Sequence, residues 1–308
     1  MLNLGNRIID QMLDLNYLYD LSVRHGDSLN QPVARFELRG SRFDPWPEVS
    51  MMGVVNLSHD SWYRESVAMT VEAAVRRGRR LAVEGARIID VGAESTLLNA
   101  QRINAQTQTS NLVPVVRELS DLGILVSVET YLPEVALSCL EAGAAIINLT
   151  AGNNTEDFYR MIAEWDAGVV ICHVQNSENV REVGDFKHAE DQSVVLYEYF
   201  ARETDRAARC GVKCIWIDPG LGFNYNHLGD SAVRVRYQIE TFLNAFRLRS
   251  LGWPVCQALP PAFEFFEEEV RCAESFFGVL AMLGQTDLLR THEVAKLRGV
   301  VEAMRVIT

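Results

Sequence analysis

Eight short runs of branched apolar residues recur along the chain: Val49 to Asn56, Ala86 to Ala93, Ile124 to Thr130, Ala144 to Thr150, Gly168 to Val174, Val212 to Pro219, Trp253 to Leu259 and Leu288 to Val294. Nearly continuous apolar runs of this length are the pattern of strands buried on both faces. Between them, apolar residues return at three- and four-residue spacing in Val67 to Glu84, Pro133 to Ala142, Glu156 to Trp165, Asp191 to Cys210, Ser231 to Leu251 and Phe263 to Leu283, which predicts helices. Strand and helix alternating eight times implies parallel strands joined by helical crossovers. The count favours an α/β fold of the closed (β/α)8 TIM barrel type over an open doubly wound sheet, and no glycine-rich dinucleotide turn follows the first strand.

Before the first strand the pattern changes. Met1 to Gln31 reads as an amphipathic helix, its apolar residues interrupted by Asp10 and Asp14 in a way that a secretory leader would not tolerate. Phe36 to Phe43 alternates around Gly40 and predicts a short hairpin at the barrel floor. The chain therefore divides into an N-terminal extension at residues 1–45 and a barrel at 46–308.

Composition narrows the partners. A net charge of -12 argues against a nucleic-acid surface or an anionic membrane, and no run is long enough to span a bilayer. Cytoplasmic location is the expectation. The six cysteines lack the spacing of a zinc site or a disulfide scaffold and read as reduced small hydrophobes. Lysine is confined to Lys187, Lys213 and Lys296, so a site that needs one has few candidates.

Polar, ligand-capable side chains cluster where the apolar runs end: Asn56 to Trp62, Glu94 to Thr96, Glu129 to Tyr131, Asn148, Asp218 to Phe223, and Arg290 to Glu293. In a barrel of parallel strands those C-terminal ends converge on one mouth, so the six segments form one site. Taken in order, they resemble the dihydropteroate synthase family, barrel enzymes that join a pterin methyl diphosphate to p-aminobenzoate in folate synthesis. The resemblance runs from about Val49 to Val294, through Met52 to Trp62, Val91 to Thr96, Ser127 to Val135 and Ile217 to Phe223.

The resemblance implies a pterin-binding set of Glu129, Asn148 and Asp218, with Glu129 standing where the family has aspartate. A pterin edge carries ring N–H, amino and carbonyl groups, which a buried carboxylate and an amide can meet. It also implies a diphosphate end built from the catalytic candidates Arg290, His292 and Thr96, with Asn56 near a magnesium (Mg2+) site, and a homodimer. Two local readings stay open beside these: Asp218 as a cap for the loop before Gly220, and Asn148 as a turn residue.

Departures concentrate on the aminobenzoate side. The family's Ser-Arg-Lys after the seventh strand is Pro260-Pro261-Ala262, and its Thr-Arg-Pro after the second is Thr96-Leu97-Leu98. Gln257 is the candidate to supply an amide in place of the lost lysine; His59 and His173 are further candidates for compensating contacts. Three functions follow from this mixture: a condensing synthase, a divergent paralogue that binds a pterin or its phosphate for another purpose, and a barrel without a ligand.

Overall fold

The computed structural model describes residues 12–58, 67–68, 70–95, 102–150, 155–174, 189–221, 231–260, 262–267 and 269–306. A hairpin of β1 (Phe36–Leu38) and β2 (Ser41–Phe43) precedes eight parallel strands: β3 (Ser50–Asn56), β4 (Ile88–Gly92), β5 (Leu125–Thr130), β6 (Ile146–Leu149), β7 (Gly168–Cys172), β8 (Ile215–Asp218), β9 (Cys256–Ala258) and β10 (Leu288–Thr291). Their spatial order is β8-β7-β6-β5-β4-β3-β10-β9. A parallel bridge between Ile217 and Val255, with the Ile217 amide donating to the Pro254 carbonyl at 3.0 Å, joins the two ends into a closed barrel. All eight apolar runs thus become strands, each between one and four residues shorter than its run.

Helices cover the outside. Thr70 and Asn104 cap the helices Val71–Glu84 and Ala105–Asp121 by accepting from Ala73 and Thr107 amides at 3.2 and 2.9 Å. Gly53 lets the first helix lie close to β3, since a Cβ there would sit 3.1 Å from Leu81 and Val294 side-chain carbons.

Three helical expectations are corrected. The N-terminal helix begins at Leu15, because the Asp14 carboxylate accepts from the Tyr17 amide at 2.9 Å and caps it there; it ends at Arg24, and a short helix Gly26–Leu29 follows. Residues 1–11 lie outside the described residues. The stretch 263–283 splits into Phe263–Phe266 and Val270–Leu283, since Glu267 adopts a left-handed φ of 47° that no helix can pass through. The stretch 231–251 ends its α-helix at Leu243 and continues as a 3-10 helix, Ala245–Leu251.

Two cores result. One lies between strands and helices; the other fills the barrel itself and contains Met52, Ile88, Ile146, Val170, Trp216, Cys256 and Leu288 together with Leu38 and Phe43 of the hairpin. Phe36 and Phe43 meet the Trp216 ring edge-on at 4.6 and 5.2 Å, so the hairpin plugs the floor. Beneath, Arg249 donates to both Asp287 carboxylate oxygens at 2.8 and 3.0 Å, and Asp287 also accepts from the Trp46 and Val255 amides at 2.7 and 2.8 Å. No helix among the described residues is long and apolar enough to cross a membrane.

Candidate functional site

Strand geometry assigns the lining of the mouth. Side chains alternate between faces, so two residues beyond the apolar layer inside the barrel come Val54, Asp90, Asn148, Cys172, Asp218, Ala258 and Arg290. On β5 the same step from Leu125 gives Ser127 and then Glu129. A polar layer therefore sits directly on an apolar one, with β5 and β6 placing Glu129 opposite Asn148.

Arg290 is the hub of that layer. Its Nε donates to Asp90 Oδ2 at 2.7 Å, and its Nη2 makes a short hydrogen bond to Glu129 Oε2. Asn148 Nδ2 donates to the same Asp90 oxygen at 3.1 Å, so Asn148 serves the barrel interior, not a turn. Asp218 Oδ1 accepts from the Gly220 amide at 2.8 Å; it caps its loop and belongs to the buried layer as well. Asp90 was not among the residues singled out from sequence, although a carboxylate in the middle of Ile-Ile-Asp-Val-Gly marks a charge inside a buried strand.

The charge balance is uneven. Burial pushes Glu129 up to about 7, with Arg290 opposing and Asp90 and Asp218 adding to the rise. Burial likewise lifts Asp218 to about 6, against the Gly220 hydrogen bond and Arg290. Burial alone would lower Arg290, but Glu129 and Asp90 hold it above its ordinary range. One guanidinium thus faces three carboxylates. Asp90 Oδ1, Ser127 Oγ and Asn148 Oδ1 are buried without a hydrogen-bond partner among the described residues, a costly condition unless something else supplies one.

His292 stands above, at the rim after β10, with its Nδ1 2.7 Å from Glu274 Oε1. Asn56 closes β3 beside Gly92 and is partly buried. Glu94 accepts from the Tyr131 hydroxyl at 2.8 Å and the Ile103 amide at 3.1 Å, bracing the segments that follow β4 and β5. Thr96, Leu97, Leu98, His59 and Pro261 lie outside the described residues.

Two candidates turn away from the mouth. Gln257 pairs in register with Leu289 of the outer core, and its Oε1 accepts from Thr286 Oγ1 at 2.5 Å near the floor. It is an odd-numbered step from Cys256 and so faces the helices, where it cannot replace a lysine at the mouth. His173 packs edge-on against Tyr199 at 4.8 Å in the helix layer, and burial depresses it to about 4. Arg290, expected at the diphosphate end, also contacts Glu129 of the expected pterin end and Asp90 beside it.

The Pterin binding enzyme family model matches residues 52–258. The chain belongs to the pterin-binding enzyme family. It is 32% identical over 227 residues to a dihydropteroate synthase of Streptococcus pyogenes, covering 72% of this chain and 76% of that one. It is 30% identical over 262 residues to a probable bifunctional folylpolyglutamate synthase/dihydropteroate synthase of Halobacterium salinarum, covering 81% of this chain and 31% of that protein. A Xanthomonas albilineans dihydropteroate synthase solved with 4-aminobenzoic acid superposes with a TM-score of 0.73 at 27% identity, over 90% of this chain and 98% of that one. These relatives give no support to the paralogue with another transfer or to the ligand-free barrel.

Proposed function

We propose that this protein is a dihydropteroate synthase that condenses a pterin methyl diphosphate with an arylamine in folate synthesis, acting in the cytoplasm as a homodimer. The observation that carries the reading is the acceptor-rich layer inside the barrel: Glu129 and Asp218 raised toward neutrality, and three buried polar atoms of Asp90, Ser127 and Asn148 without partners among the described residues. A pterin edge supplies the N–H donors that such a layer requires. With Gln257 facing the helices, the Ser127 hydroxyl and the Arg290 guanidinium are the donors suited to the pterin carbonyl.

In the reaction the bond from the methyl carbon to the diphosphate oxygen breaks, the arylamine lone pair forms the C–N bond, and one amine proton leaves. Positioning and charge stabilisation suffice, and no protein nucleophile is needed. Arg290 and His292, with Thr96 by resemblance, are assigned to the departing charge. Asn56 offers one amide oxygen, and no cluster of three His, Cys, Asp or Glu groups suited to a metal occurs among the described residues. That donor set fits a magnesium ion held mainly by phosphate and water, with Asn56 as its protein ligand and charge neutralisation as its contribution.

Titration calorimetry with a pterin and its methyl diphosphate, with and without magnesium, tests the reading, followed by an assay of pteroate formation. Both pterins are expected to bind. Turnover with p-aminobenzoate is expected to be slow, on the order of 100-fold below a relative that keeps the lysine. Failure of either pterin to bind would overturn the proposal, and a sedimentation mass of one chain would remove the homodimer.

A further inference from the structure

We propose that Glu274 is a positioning residue that fixes the proton and orientation of the His292 ring, so that the ring's Nε2 side meets an anionic oxygen; this rests on the diphosphate reading of the rim. Glu274 lies in the helix Val270–Leu283 among buried Ala273, Phe277, Leu280 and Ala281, and is itself 1% exposed. Its hydrogen bonds among the described residues go to Thr291 and His292. Oε2 accepts from the Thr291 hydroxyl in a short bond and from the His292 amide at 3.0 Å, while Oε1 faces His292 Nδ1 at 2.7 Å. From the other side Arg77, in the helix Val71–Glu84, donates to the His292 carbonyl at 3.4 Å and to the Val54 carbonyl at 3.2 Å.

His292 is therefore held at its amide, its carbonyl and its ring. An ionised carboxylate at Nδ1 can only accept, so the ring carries its proton there, and the opposite nitrogen becomes the one that acts on a ligand. Toward a diphosphate oxygen the ring donates through Nε2 while Glu274 accepts at Nδ1 from behind. A buried acid on an otherwise apolar helix face is costly without such a counterpart. A carboxylate that merely capped the strand would be satisfied by Thr291 and the His292 amide and would not need the ring.

Two readouts separate the roles. Nitrogen-15 NMR of the full-length protein should show the His292 proton on Nδ1 with the downfield resonance of a carboxylate-bonded imidazole, and Glu274→Gln should lose that resonance. Calorimetry with inorganic diphosphate and magnesium should show Kd rising about tenfold in Glu274→Gln, as for other residues that orient a ligand through a histidine. In the same variant the Kd for bare pterin should stay put, and Thr291→Val should leave diphosphate affinity within about threefold. A ring without a proton on Nδ1 in the unaltered protein, or unchanged ring signals and diphosphate affinity in Glu274→Gln, would overturn the inference. If the unaltered protein binds no diphosphate, the reading of the rim fails while the ring resonance still decides the role of Glu274. Glu274→Asp, which keeps the charge but shortens the reach, should restore part of the affinity only if charge is what matters to the ring.

Discussion

The barrel holds an arginine at each end, and the two are managed in opposite ways. At the floor Arg249 meets one acid, Asp287, through both carboxylate oxygens, and two backbone amides complete that acid's needs. At the mouth Arg290 meets Asp90 and Glu129 with Asp218 close behind, three carboxylates to one guanidinium; Asp90 Oδ1, Ser127 Oγ and Asn148 Oδ1 lack partners among the described residues there, as Arg249 Nε does at the floor. A matched pair is a device for holding backbone together. An unmatched one is a device for receiving something. The contrast gives the floor a part in stability and supports the mouth as the proposed binding end.

The largest effect should come from breaking the floor. Arg249→Met leaves Asp287 buried and unpaired, which typically costs about 3–5 kcal/mol, and thermal unfolding should move down by about 10 °C. Arg290→Met should cost less, under about 2 kcal/mol near pH 6, because Glu129 and Asp218 can hold protons there instead of charge. Its binding loss should be the larger one, with pterin and pterin diphosphate both weakened by about 100-fold or more, since the guanidinium touches both ends of the site. Equal stability losses in the two variants would erase the distinction between floor and mouth.

Acidity sharpens the comparison further. Asp218 and Glu129 are carboxylates raised in the folded state, to about 6 and about 7, so the fold keeps protons that the unfolded chain releases from about pH 4 upward. Ligand-free stability should therefore fall as pH rises through that window, the opposite of a salt-bridged acid. Asp218→Asn should stabilise the empty protein by about 1–3 kcal/mol at pH 8, with the gain gone by pH 4, and should abolish pterin binding. Denaturant titrations at both pH values check this; a variant less stable than the parent at pH 8 would contradict it. The smallest effect is expected from replacing Gln257 and Thr286 together by Leu and Val, which removes both partners of one outer hydrogen bond. Stability should change by less than about 1 kcal/mol and pterin affinity not at all.

The sequence made the barrel legible because each strand is buried on both faces and so leaves a nearly continuous apolar run. The helix Ala105–Asp121 was harder to see: its first turns are Gln, Thr, Gln, Thr and Ser, and Pro114 stands in its middle. Within the site, Glu129, Asn148, Asp218, Arg290 and His292 were readable as strand-end residues, and the fold does bring their strands to one mouth. Asp90 was readable in principle by counting two from Ile88. Gln257 was misplaced because a strand end says nothing about which face a residue takes until one neighbour's side is known. Glu274 carried no local signal at all, since its partner lies on another element and only the packing of helix on strand joins them.

The hairpin under the barrel has a kinetic consequence. With Phe36 and Phe43 seated against Trp216, the described residues close the interior at its floor, so a ligand enters from the mouth. Whatever rests on the layer of Asp90, Asn148 and Asp218 must arrive before anything that sits above it, and must wait for that later arrival to clear before departing. The order of traffic is thus written into the plugged end of the barrel, far from the residues proposed to bind.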